Sequence, residues 1–314
     1  PSLALVDVMM PGMDGYEVVR QLRDHPATSK IGIIVLTARG QPVDQTAALQ
    51  AGADVHMPKP VNIEVLSSTV ESLLKKVKEA SISKLALPVM GLRGGTGVTT
   101  LAVNLAVLLQ QIGPTVLWDL SPVSGHASLF LGIQPRQHWG FYLRDTTTPI
   151  PTLLKQHRTG LQVLSAPPIP EMFGWFDEAG IEAVLSDLQE VARFVVVDMP
   201  RTLDDTIHPI LRAAHKLLLV AGDDPPAIQT TLASLQALQK WHLEIIIAHN
   251  ASRPGKSLNV GALERAMHIN IHGDIPYDPN QRLVLSKGIP LALAKPDSPL
   301  ITSLQTTAQL LLEQ

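Results

Sequence analysis

Residues 88–105 read PVMGLRGGTGVTTLAVNL and constrain this chain more than any other stretch. A short apolar strand runs into a glycine-rich turn, and the turn opens a helix on Thr99 and Thr100. Glycines here let backbone N–H groups converge on one point, and the helix that follows adds the positive end of its dipole. That is the geometry of a phosphate cradle, with Gly94, Gly95, Thr96, Gly97, Thr99 and Thr100 as candidate contacts. A phosphate loop ends in Gly-Lys-Ser/Thr; Gly97 and Thr99 meet that pattern, whereas Val98 stands where the lysine would be.

The rest of the chain is long enough to build around such a site. With 314 residues, 45% of them hydrophobic, it can bury the cores of two ordinary α/β domains. A net charge of −3 gives no electrostatic footprint for nucleic acid or an anionic membrane. The absence of cysteine excludes a disulfide framework, a cysteine-based metal site and a thiol nucleophile, and it fits a cytoplasmic location. Apolar runs stay below the roughly 18 residues that span a bilayer, so direct membrane insertion is not expected. The first residues lack a basic n-region, and a start at Pro1 reads as a fragment or a processed chain. The 11 histidines form no HExxH pair, which leaves zinc catalysis without a site.

In the first 80 residues, patterning predicts strands over 3–8, 31–36 and 54–57, and helices over 16–23, 45–51 and 62–80. The three strands run out at Asp7, Thr37 and Lys59, where open α/β sheets place their sites. A carboxylate can attack a phosphohistidine, a lysine can neutralise the acyl phosphate, and a hydroxyl can swing to bond it.

This segment resembles the receiver domain of two-component response regulators through DVMMPGMDGYEVVRQLR, VLTAR and a Lys-Pro pair. Thr37 lies 30 and Lys59 lies 52 residues after Asp7, the family's spacing of phosphoacceptor, switch hydroxyl and phosphate-binding lysine. The resemblance implies regulation by a histidine kinase or phosphotransfer protein. It also implies that the sequence begins near the third strand of a five-stranded sheet, without the acidic pair that holds Mg²⁺. Phosphotransfer by this chain is therefore not expected. His56 stands where receivers carry an aromatic switch residue. A degenerate receiver used only for dimerisation is the competing reading.

Beyond a linker at 80–84, strands are predicted over 86–90, 115–118, 161–165, 194–197, 216–220, 244–248 and 272–275. Helices are predicted over 99–111, 180–192, 204–214, 227–240, 260–267 and 300–312. Such alternation predicts a mostly parallel sheet covered on both faces. Asp119 and Asp198 each close a strand, and an aspartate in that position beside a phosphate loop holds Mg²⁺ or its water shell. Trp118, Trp139, Trp175 and Trp241 read as packing residues. Residues 136–151 lack periodicity and read as a surface insertion, with a partner or dimer loop as the alternative. The last helix carries leucines on one face but no lysine or arginine, and reads as packed, not membrane-targeting.

LRGGTGVTTLAVNLA, VLWDLSPVSGHASLFLG and FVVVDMPR are similar to deviant P-loop ATPases of the MinD/ParA class. The VDMPR ending, the non-lysine at 98 and the receiver segment resemble the CpaE/TadZ branch, associated with positioning and assembly of Flp/Tad-type pili. The resemblance implies binding of ATP or ADP with Mg²⁺, with Thr99, Asp119 and Asp198 at the metal and Asp119 and Asp198 as catalytic carboxylates. It places Asn250 and Pro276 at the base. Arg93 would reach the partner's phosphate in a nucleotide-bound homodimer, and guanidinium suits that task.

Two departures bear on activity. Val98 removes the lysine that neutralises β- and γ-phosphates, and Ser121 stands where the family's second aspartate orients water. Weak or absent hydrolysis is therefore implied. The chain thus reads as two doubly wound α/β domains, a partial receiver over 1–79 and a MinD/ParA-like domain over 85–314. Implied partners are a second copy and pilus-assembly or polar-localisation proteins, which would recruit it to the pole or inner membrane. An active partitioning ATPase and a scaffold with vestigial sites are the rival readings.

Overall fold

The structure, a computed structural model, describes residues 1–10, 12, 14–25, 28, 31–37, 42–81, 84–122, 125–169, 176–251, 253–254 and 260–313, without the side chains of 42–44 and 75–81. Trp175 thus lies outside the described residues. The chain divides into two compact units, Pro1–Ser83 and Lys84–Gln314.

The first unit alternates β1 (Leu3–Asp7), α1 (Gly15–Asp24), β2 (Gly32–Thr37), α2 (Pro42–Ala51), β3 (Val55–Pro58) and α3 (Ile63–Ser81). Its three strands pair in parallel in the order β1-β2-β3. Central β2 is buried on both faces, which is why it reads as an unbroken GIIVL run. Val19, Ile33, Val35 and Ala48 fill one face, and Ile34, Met57 and Leu73 the other. Asp14 caps α1 by accepting from the Tyr16 N–H. Gly15 is required at that turn, because a Cβ there would meet the Asp7 carbonyl oxygen at 2.2 Å.

The second unit is built on β4 (Leu85–Met90), β5 (Thr115–Asp119), β6 (Lys155–Gln156), β7 (Gln162–Leu164), β8 (Phe194–Asp198), β9 (Leu217–Ala221), β10 (Ile245–Asn250) and β11 (Gly273–Ile275). They form one sheet in the order β11-β10-β9-β4-β8-β5-β7-β6, parallel except for β6 against β7. Helices are α4 (Val98–Gln110), α5 (Ala127–Phe130), α6 (Gly140–Arg144), α7 (Ile150–Leu153), α8 (Glu178–Val191), α9 (His208–Ala213), α10 (Pro225–Leu238), α11 (Val260–Met267), α12 (Asn280–Leu285), α13 (Leu291–Ala294) and α14 (Pro299–Leu312).

β4 and β8, central and buried on both faces, carry no alternation in LALPVM and FVVVD. α4 packs on one face with Leu101, Leu105 and Leu109 against Leu304 and Leu311 of α14. Trp118, Trp139 and Phe176 fill the other face, Trp118 and Phe176 in edge contact at 6.0 Å. Inside the first core, Asn104 donates to the Thr100 carbonyl and accepts from the Ala292 N–H, each at 2.8 Å, tying α4 to α13.

Several elements differ from the patterning. β6 is a two-residue exposed edge and has no apolar signature to read. Residues 204–214 are a 3₁₀ turn, Asp205–Ile207, followed by α9, because Pro209 is tolerated only in a helix's first turn. α10 starts at Pro225, with Asp224 accepting from the Ala227 N–H, two residues before the patterned start. Residues 136–151 are no exposed insertion: Trp139, Tyr142 and Ile150 are core residues, and the Trp139 Nε1–H donates to the Asp119 carbonyl at 2.9 Å.

Candidate functional site

In the first unit, the carboxyl ends of three neighbouring strands bring Asp7, Thr37 and Lys59 together. The Lys59 Nζ donates to an Asp7 carboxylate oxygen at 2.5 Å, and the Met9 N–H donates to the other at 3.2 Å. The lysine hydrogen bond, with the Met9 N–H next, holds the Asp7 carboxyl below its usual range. Both side chains are over one-third exposed, so solvent reaches the pair. Thr37 is buried, and its hydroxyl is hydrogen-bonded to His56 Nε2 at 2.8 Å. The position where receivers carry an aromatic residue is thus held by a ring that bonds the Thr37 hydroxyl directly.

In the second unit the glycine loop links β4 to α4. Gly95 and Gly97 hold φ of 84° and 94°, the left-handed region that glycine enters without strain. Gly97 is the N-cap of α4 and offers no side-chain cap, whereas Asp177, Asp224 and Ser298 cap α8, α10 and α14. The first turn of α4 also carries no acid. The helix start thus receives no anionic or polar side chain from its own cap, an arrangement suited to binding an anion. Nothing lies within 4 Å of a Cβ built on Gly95, so the cradle is open there.

The loop is braced from below. Asn250, buried at the end of β10, donates to the Thr96 carbonyl at 2.7 Å, and a Cβ on Gly97 would meet this amide nitrogen at 2.3 Å. The amide expected at the base is turned to the loop because a buried N–H₂ needs an acceptor. Pro276 follows β11, which pairs with β10 in the register Asn250↔Ile275, so it lies at the same sheet edge as Asn250. Thr96 and Thr100 contribute carbonyls to the scaffold, and the Thr96 hydroxyl donates to the Arg93 carbonyl at 3.1 Å. Arg93 itself is engaged within the chain: its Nη2 lies 2.8 Å from a carboxylate oxygen of Asp224.

Asp119 and Asp198 face each other in register across β5 and β8, and both are buried. Burial raises both carboxyls, and for Asp198 the neighbouring Asp119 raises it further, well above the usual range, while the Thr99 hydroxyl bond opposes the rise. The Asp119 oxygens also accept the Ser121 and Ala127 N–H groups, each at 3.1 Å, so this residue folds the segment carrying Ser121. A buried carboxylate pair beside a threonine hydroxyl and an uncapped phosphate loop is a donor set that fits Mg²⁺ with a nucleotide phosphate. Among the described residues, no cluster of three or more His, Cys, Asp or Glu side chains forms a protein-only metal site.

Two residues at this site escaped the sequence reading. Asp224 was signalled by Asp-Pro-Pro, an N-cap followed by a first-turn proline. Arg201 follows Asp198-Met-Pro, and its guanidinium Nη1 lies 2.3 Å from where a Cβ on Gly94 would sit. No sequence signal places it there.

Residues 1–71 match the response regulator receiver domain family. The phosphate regulon transcriptional regulatory protein PhoB of Rhizobium meliloti is 38% identical over 85 residues, 27% of this chain and 37% of that protein. An uncharacterized ATP-binding protein of Methanocaldococcus jannaschii is 24% identical over 222 residues, 70% of this chain and 84% of its own length. The septum site-determining protein MinD of Pyrococcus horikoshii, solved with Mg-ADP, matches with a TM-score of 0.63 at 22% identity, over 74% of this chain and 96% of that one. The second unit thus has the MinD/ParA-like P-loop fold, behind an N-terminal receiver segment. The chain spans little more than a third of PhoB. No helix among the described residues is long and apolar enough to cross a membrane.

Proposed function

We propose that this chain is a nucleotide-binding, weakly or non-hydrolysing protein of MinD/ParA type whose nucleotide state sets its self-association. The observation that carries this reading is the uncapped glycine loop of α4 aimed beside the buried pair Asp119 and Asp198. The amides of the loop would hold phosphate oxygens, and the Thr99 hydroxyl with Asp119 and Asp198 would hold the cation. Mg²⁺, when bound, neutralises the phosphates and the carboxylate pair together. Val98 contributes no charge to that balance and Ser121 no carboxylate, so the site favours holding nucleotide over cleaving it.

Positioning or assembly of Flp/Tad-type pili is the cellular role this reading assigns, supported by the VDMPR ending and the non-lysine loop. Recruitment to the pole or inner membrane would then come from partner proteins. The Asp7–Lys59 corner, beside the Thr37–His56 bond, is where phosphorelay input would act in the intact protein. The scaffold reading draws on the commitment of Arg93 to Asp224 and of the Asp119 oxygens to backbone amides.

Calorimetric titration with ATP and ADP, with and without Mg²⁺, read beside the oligomeric state, tests the proposal. Mg²⁺-dependent binding with dimerisation and negligible phosphate release is expected. No binding at millimolar nucleotide would leave the scaffold.

A further inference from the structure

The glycine loop lacks its lysine, yet two guanidinium groups stand beside it and they are not equivalent. Arg93 is spent on Asp224 at 2.8 Å, and Asp224 is itself fixed as the cap of α10 through the Ala227 N–H at 2.8 Å. Arg201 enters no ion pair among the described residues. The acids that follow it are engaged elsewhere. Asp204 accepts from the Thr202 hydroxyl at 2.9 Å and the Thr206 N–H at 3.1 Å, and Asp205 lies 3.4 Å from His208.

The backbone that delivers Arg201 is fixed. β8 ends at Asp198, Met199 donates its N–H to the Val89 carbonyl of β4 at 3.1 Å, and Met199 and Pro200 are both buried. Proline removes one torsional freedom from that path. Arg201 is the first exposed residue after seven consecutive buried ones, and it emerges against the exposed glycine at 94. Position 94 has no side chain to keep the guanidinium off the loop, since a Cβ there would collide with Nη1. Buried neighbours thus hold a long cation, unpaired among the described residues, at the rim of a loop whose helix has no side-chain cap.

We propose that Arg201 supplies, from within the same chain, the phosphate-binding cation that Val98 does not, by contacting the terminal phosphates of a nucleoside di- or triphosphate held in the loop. The proposal rests on the nucleotide-binding reading above. Guanidinium is suited to it, because two parallel N–H groups match two phosphate oxygens and the charge persists at every working pH. It also divides the labour between the two arginines. Arg201 answers the bound phosphate in cis, while Arg93 remains tied to Asp224.

The test is titration of the whole chain with Mg·ATP, Mg·ADP and AMP at two salt concentrations, for wild type, Arg201→Ala, Arg201→Lys and Val98→Lys/Arg201→Ala. Thermal unfolding of each variant serves as the folding control. Arg201→Ala is expected to weaken ATP binding tenfold or more, leave AMP binding within twofold, and flatten the salt dependence of ATP affinity. Arg201→Lys is expected to fall between the two, and lysine at 98 to restore much of the affinity lost in Arg201→Ala. Equal ATP affinity in wild type and Arg201→Ala overturns the proposal and leaves the nucleotide reading standing. Equal losses for ATP and AMP also overturn it, since they mark a structural role. If the wild type binds no nucleotide, the underlying reading fails and this inference with it.

Discussion

Each unit places an aspartate at the carboxyl end of a parallel strand, and the two settings have opposite electrostatics. Asp7 is partly exposed and meets Lys59 at 2.5 Å, so its charge is compensated within the chain and its carboxyl is held low. Asp198 is buried opposite a second carboxylate, so its charge is uncompensated and its carboxyl is pushed well up. The same residue type at the same topological place is a closed ion pair in one unit and an open request for a cation in the other. The difference comes from what the neighbouring strand ends bring: a lysine after β3, an aspartate at the end of β5.

The comparison breaks most sharply at Asp198. Asp198→Asn keeps an acceptor for the Thr99 hydroxyl and removes a buried like charge. The nucleotide-free fold is expected to gain about 1–2 kcal/mol, since relief of unpaired buried charge is among the larger single-site effects. Mg²⁺-dependent nucleotide binding should be lost in the same protein. Thermal unfolding and titration check both, and a destabilised variant would show that Asp198 is already compensated.

Asp119→Ala probes the same pair from its structural side. It strands the Ser121 and Ala127 amides beside a core tryptophan, at an expected cost of about 1–3 kcal/mol despite the lost repulsion. Denaturant unfolding measures it.

Acidity separates the units by sign. A raised folded carboxyl such as Asp198 makes the second unit lose stability as pH rises from the ordinary carboxylate range to the raised value. A lowered one such as Asp7 gives the first unit stability that is present above the ordinary range and lost as pH falls through the lowered value. Hydrogen exchange followed separately in the two units should therefore show stability falling with rising pH in the second, by at most about 1.4 kcal/mol per pH unit for one group, and no more than a faint opposite trend in the first, whose pair is open to solvent. Parallel slopes would dissolve the comparison.

The smallest effect is expected at Lys59→Ala. Because the pair is open to solvent, global stability should barely change. The Asp7 carboxyl should return toward its ordinary value, which carboxyl NMR titration reads directly.

Much of this fold is legible in the sequence. The apolar patterning predicts every strand but the exposed β6, since buried parallel strands carry no polar face to confuse them. Asp7, Thr37 and Lys59 could be grouped by spacing, because three successive βα units bring their strand ends to one edge. The breaks came where local signals compete. Proline split residues 204–214, Asp-Pro-Pro moved the start of α10, and Trp139 turned an aperiodic stretch into core.

What the sequence determined by itself was the alternation of elements, the glycine-rich loop before α4 and the acids that close the strands, all of which depend on neighbours in the chain. Pairings across 131 residues, as between Arg93 and Asp224, or 154, as between Asn250 and the Thr96 carbonyl, were decided only in the tertiary structure. The same holds for the approach of Arg201 to Gly94 and the opposition of Asp119 to Asp198. The physical reason is that strand order, here β9-β4-β8-β5, sets which side chains become neighbours, and a residue's own sequence context carries no record of that order.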